Sequence, residues 1–129
     1  MVDDDRYKKG MANRSKVLGD EGEERRRKFE EACPEFSRFV VGNVYGELYE
    51  RKGISDKNRE SVILAILCTL GRDNEFEHHA NAALNLGMTR KDIEEIIMIC
   101  AYYAGCPNAV GATKAMLNVI NERGSKAVG

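Results

Sequence analysis

A chain of 129 residues that is 43% hydrophobic, 7% aromatic and 32% charged has the size and balance of one folded domain, not of a disordered or membrane-embedded protein. Its formal net charge of -1, with no dominant basic block, excludes the electrostatic footprint of a nucleic-acid binder. No segment approaches the roughly 18 uninterrupted apolar residues of a membrane span, and the acidic start Asp3-Asp4-Asp5 is the opposite of a secretory leader, so a cytoplasmic location is expected.

From Asp3 to Leu18 the helical pattern is weak, with Tyr7, Met11, Arg14 and Leu18 on one stripe and Gly10 in its middle. This predicts a poorly packed or exchanged arm. Gly19-Asp20-Glu21 punctuates it, and a short charged helix from Glu21 to Ala32 turns Phe29 and Ala32 toward the body. Cys33-Pro34 restarts the chain, because proline suits a first helical turn. The helix that follows reaches about Tyr49 and is expected to bury Phe36, Phe39, Val40, Val44 and Leu48. After a turn at Arg51-Lys52-Gly53, Ser55 or Asp56 caps a central helix over 57–70 that is apolar nearly all round from Val62 to Cys68. That composition predicts burial on every side, at the centre of a fold or an oligomer.

Gly71 stops the central helix, and Asp73 or Asn74 caps the next. Its inward stripe is Phe76, His79, Ala80, Ala83 and Gly87, with His78 on the wetter side. Thr89-Arg90-Lys91-Asp92 has the form of a capping box and opens a helix to about Ala104. There Ile93, Ile96, Ile97 and Cys100 are joined by Ile99 and Tyr103, so more than one face is covered. Gly105 ends it, Cys106-Pro107 begins an alanine-rich helix to about Asn121, and a frayed tail follows. No alternating strand pattern interrupts the series. The expected architecture is all-α with about six to seven helices, an arm over 1–33, a helical domain over 34–122 and a tail over 123–129.

Glu60 lies on the same helical face as Ile63, Leu64 and Leu67, which points a carboxylate inward. Its other reading is structural, as an anion favoured in a first helical turn beside Arg59. His79 is either a satisfied core or interface histidine or the proton partner of Glu60 in general acid/base chemistry. Glu75, four residues before His79, is placed to orient the imidazole. Arg59 and Arg72 flank the region, and either guanidinium suits a carboxylate bidentately or is simply solvated. The four cysteines form no CxxC pair, which fits reduced thiols, and with two histidines there is little material for a zinc site, so no metal is expected. Cys106, at a helix N-terminus, is the candidate reactive thiol, though a small residue beside Gly and Pro is often no more than that. Cys68 and Cys100, inside apolar helices, read as inert.

Several runs carry a resemblance: Gly46-Glu47-Leu48-Tyr49-Glu50-Arg51-Lys52-Gly53-Ile54, Arg59 through Leu70, Gly71-Arg72, His79-Ala80-Asn81-Ala82-Ala83-Leu84-Asn85-Leu86-Gly87-Met88-Thr89, and Tyr103-Ala104-Gly105-Cys106-Pro107. Over roughly 34–121 the chain resembles the carboxymuconolactone decarboxylase family. The resemblance implies an AhpD-like helical fold and homo-oligomers from dimer to hexamer. In the AhpD-like peroxidase branch a CxxC precedes the histidine, at positions held here by Arg72 and Glu75, and the relaying glutamate falls at Glu60. The chain is more similar to the decarboxylase branch, which implies cofactor-independent loss of CO2 from a small lactone acid. On that reading Arg72 or Arg59 binds the substrate carboxylate, His79 donates the proton, and Glu60 or Glu47 sets the proton balance. The rival readings are a redox enzyme using Cys106 or Cys68 alone, and a non-catalytic oligomer that binds a small acid.

Overall fold

In a computed structural model, which describes the backbone of residues 2–128 and the side chains as far as Ser125, the described residues form six α-helices and no strand. The chain divides into two compact units, the first ending at Asp56 and the second beginning at Lys57. The break follows the turn after Gly53.

The first unit is built on helix α1 (Asp4–Ala32), whose N-cap Asp3 side chain accepts a 2.8 Å hydrogen bond from Arg6 N. Gly19, with φ 67 and ψ -161, bends the helix where the sequence was punctuated, in a backbone region that glycine enters without a Cβ clash. The stretch before it is not a loose arm, since Gly10, Val17 and Leu18 are buried. Helix α2 (Pro34–Val40) runs into a π turn over Val41–Tyr45 and a 3₁₀ turn over Leu48–Glu50. This winding moves the buried face. Ser37, Val41, Tyr45 and Tyr49 point inward, at a strict four-residue spacing that fits wider turns better than the 3.6-residue period used to predict the face. The expected core residues Phe36, Phe39 and Leu48 are 56%, 56% and 42% exposed, and Phe29 joins Phe36 and Phe39 in an aromatic row on the surface.

Gly10 is where α1 meets the π turn. A Cβ built there lies 2.1 Å from the Val41 carbonyl oxygen, a backbone atom that no rotamer change moves aside. Gly10→Ala is therefore expected to destabilise the protein by about 1–3 kcal/mol, the usual cost of overpacking, read as a lower urea midpoint at unchanged slope.

The second unit packs α3 (Asp56–Thr69), α4 (Asp73–Asn85), α5 (Arg90–Ala104) and α6 (Cys106–Val128) around Leu64, Cys68, Phe76, Ala80, Ala83, Ile93, Ile97, Cys100, Ala112 and Met116. Small residues on α4 and α6 let their backbones approach, and Phe76, fully buried, contributes roughly 1.5–3 kcal/mol by its removal from water. The capping box forms as expected: Asp92 N donates to the Thr89 hydroxyl at 3.1 Å, and Thr89 N donates to the Asp92 carboxylate at 2.8 Å.

Four expectations are not met within one protomer. Helix α3 is buried along one stripe, not all round, and Val62, Ile66 and Leu70 are 52%, 51% and 67% exposed. Ile99 and Tyr103 on α5 are exposed too, at 59% and 91%. An apolar surface records what a helix is able to bury, whereas the neighbours present decide what it does bury. The N-cap of α4 is Arg72, with no side-chain cap bond, in place of Asp73 or Asn74. Finally, the backbone remains helical through Val128, so the tail over 123–128 is the last turns of α6, while Gly129 lies outside the described residues.

Candidate active site

The inward stripe of α3 is Glu60, Leu64 and Cys68, spaced four residues apart and 0%, 0% and 1% exposed. It therefore presents one carboxylate among apolar side chains, a placement that costs several kcal/mol unless a partner answers the charge. That partner comes from α4, which follows the reversal at Gly71 that ends α3, where a φ of 70 suits glycine. Phe76, Ala80 and Ala83 bury one face of α4, and His79 sits at the edge of that face. Its Nδ1 lies 2.7 Å from Glu60 Oε1, with the imidazole side chain 17% exposed and the carboxylate completely enclosed.

With Glu60 ionised, the Nδ1–H of His79 is the donor in this bond, which sets the tautomer and leaves Nε2 as the nitrogen able to exchange a proton outward. A protonated imidazole beside the carboxylate makes a neutral pair that holds a transferable proton. The geometry is that of an orienting acid behind a general acid/base.

The other expected residues distribute around this pair. Glu75 does not orient His79 but is engaged by Arg72, whose Nη2 donates to Glu75 Oε1 at 2.7 Å and Nε to Oε2 at 3.4 Å. Hydrogen bonding from that guanidinium holds the Glu75 carboxyl below its ordinary range and raises the arginine. Arg72 is 61% exposed at the start of α4, so its ion pair is screened and worth little. Arg59 is 5% exposed, next to Glu60 on α3. Glu47 belongs to the first unit, where it pairs with Arg6 at 3.4 Å. Cys106 opens α6 and is exposed. Cys68 is enclosed, and burial, followed by Cys100, pushes its thiol up to about 12, which makes it a poor nucleophile at neutral pH.

The positions at which the resemblance puts a redox CxxC thus hold a salt bridge. Among the described residues no group of three or more His, Cys, Asp and Glu side chains is placed to hold a metal ion. Nor is any helix among them long and apolar enough to cross a membrane. One association was missed in the sequence: Cys68 and Cys100, on different helices, meet in the core. No spacing rule relates two residues on separate helices, so no local signal announced it.

Residues 34–118 match the carboxymuconolactone decarboxylase family. The chain is 32% identical to a 4-carboxymuconolactone decarboxylase of Acinetobacter baylyi over 125 residues, covering 96% of this chain and 93% of the relative. It is 27% identical over 120 residues to a nitrosuccinic acid decarboxylase of Metarhizium robertsii, covering 90% of this chain and 82% of that one. An uncharacterised protein of Methanocaldococcus jannaschii is 28% identical over 91 residues, 70% of this chain and 84% of its own length.

Proposed function

The chain belongs to the carboxymuconolactone decarboxylase family, and we propose that it is a decarboxylase in which the buried Glu60–His79 pair delivers the proton that replaces CO2. The 2.7 Å contact between a fully enclosed carboxylate and a partly exposed imidazole carries this reading.

The two named relatives act on different acids, a lactone and a nitro compound. What these acids share is an electron-withdrawing group near the departing carboxylate. When the bond to that carboxylate breaks, its electron pair moves into the lactone carbonyl or the nitro group, so the substrate itself serves as electron sink and no cofactor is needed. The protein's task is then to hold the acid and to supply a proton at carbon. His79 Nε2–H is the donor, and Glu60 stabilises the imidazolium before transfer and keeps the ring in register. Solvent returns the proton between turnovers.

Arg72 is our choice for the substrate carboxylate. It precedes His79 by seven residues, about two helical turns, and its exposed bond to Glu75 is exchangeable for a bond to the incoming acid. Arg72→Ala is expected to raise KM about tenfold with kcat little changed, as removal of ground-state binding does, measured in initial-rate assays. A second copy of the chain covers the exposed Val62–Ile66–Leu70 face of α3, which accounts for a helix more apolar than one protomer uses.

Incubation with 4-carboxymuconolactone and with nitrosuccinate, monitoring CO2, tests the proposal. Release above the uncatalysed rate from at least one acid is expected. Failure with both, and with a panel of small acids bearing a carbonyl or nitro group beside the carboxylate-bearing carbon, overturns it.

A further inference from the structure

The core of the second unit contains two free thiols that the acid/base chemistry does not use. Cys68 on α3 and Cys100 on α5 are 1% and 4% exposed and belong to one apolar cluster. The Cys100 thiol donates to the carbonyl of Ala65 at 3.7 Å, and Ala65 lies one turn before Cys68 on α3. The Cys68 thiol donates to the carbonyl of Asn108 at 3.8 Å. Cys100 also lies close enough to perturb the Cys68 thiol. The Cys100 sulfur is thus held against α3 and the Cys68 sulfur against the first turn of α6, each by a carbonyl.

We infer that Cys68 and Cys100 are a latent cross-link, converted by a hydroperoxide into an intramolecular disulfide that ties α3 to α5. In the first step one thiol is oxidised to a sulfenic acid as the peroxide is reduced to an alcohol, or to water for hydrogen peroxide. In the second, the neighbouring thiol attacks the sulfenic sulfur, the S–S bond forms and water leaves. Two thiols lose two electrons in all, and one peroxide O–O bond is consumed. The second step is favoured because the resolving thiol belongs to the same buried cluster. The first is slow at neutral pH, because the enclosed Cys68 thiol resists deprotonation, and it accelerates as pH rises. This is a clamp and not a turnover cycle, and it is independent of the Glu60–His79 reading. Its consequence is mechanical: the helix fixed at Cys68 is the one that carries Glu60, about 12 Å away along the axis.

The full-length wild-type protein suffices for the test. Exposed Cys33 and Cys106 are first alkylated under native conditions, the protein is treated with hydrogen peroxide over a range of pH, and tryptic peptides are mapped without reductant. The expected product joins the peptide 60–72, through Cys68, to the peptide 92–114, through Cys100. It should form faster at higher pH, disappear on reduction and raise the thermal midpoint at unchanged helix content. Three results overturn the inference: both thiols remaining reduced in the folded protein, sulfinic or sulfonic products without the cross-link, or a cross-link that forms only in urea.

Discussion

His79→Ala is expected to lower CO2 release by about 10²–10⁴-fold, the span that a positioned general acid contributes. Nδ1 of the imidazole is held at 2.7 Å by Glu60, which leaves Nε2 for the proposed proton transfer. The substitution also removes one charge-assisted hydrogen bond from an enclosed carboxylate, at a cost of about 1.5–3 kcal/mol. Rates must therefore be compared at a temperature where circular dichroism shows both proteins folded. Added imidazole distinguishes lost chemistry from lost structure. The small cavity left by the ring should admit it and restore part of the rate, with a pH dependence set by free imidazole. Equal rates in wild type and variant remove His79 from the mechanism.

Glu60→Gln is expected to reduce kcat by about 10²-fold or more while leaving the fold nearly as stable. The amide has the shape of the carboxylate and still bonds to the ring, so packing against Leu64 survives. What it lacks is charge. An imidazolium in an apolar surrounding loses the counterion that stabilises it, and an amide N–H turned toward Nδ1 imposes the opposite tautomer, placing the ring proton on the wrong side for neutral His79. A comparable exchange of an orienting carboxylate for an amide in serine proteases shows how large such an effect becomes. A Glu60→Gln protein with unaltered kcat would reduce Glu60 to a packing residue.

Much of the second unit was legible before any coordinates. The Thr89–Asp92 capping box, the stops at Gly71 and Gly105 and the inward stripe of α4 are local patterns, in which a cap or a face is set by residues within one or two turns of each other. Glu60 and His79 were each assigned inward on the same grounds. The errors also have a common cause. Periodicity names a face but not its occupant, so Val62, Ile66, Ile99 and Tyr103 read as buried when the protomer leaves them exposed. In the first unit the π turn at Val41–Tyr45 changed the winding itself, and the buried stripe slipped to Ser37, Val41, Tyr45 and Tyr49.

The amino-acid sequence alone determined that the chain is helical, where most helices start and stop, and that Glu60 and His79 were among the candidates for proton transfer, because these follow from short-range sterics, capping and amphipathic spacing. Packing decided the rest: that the carboxylate meeting His79 is Glu60 and not the nearer Glu75, that Arg72 takes Glu75, and that Cys68 finds Cys100. Each of these choices depends on which helices approach one another. That approach is the outcome of many weak contacts summed over residues distant in sequence, and no local pattern encodes it.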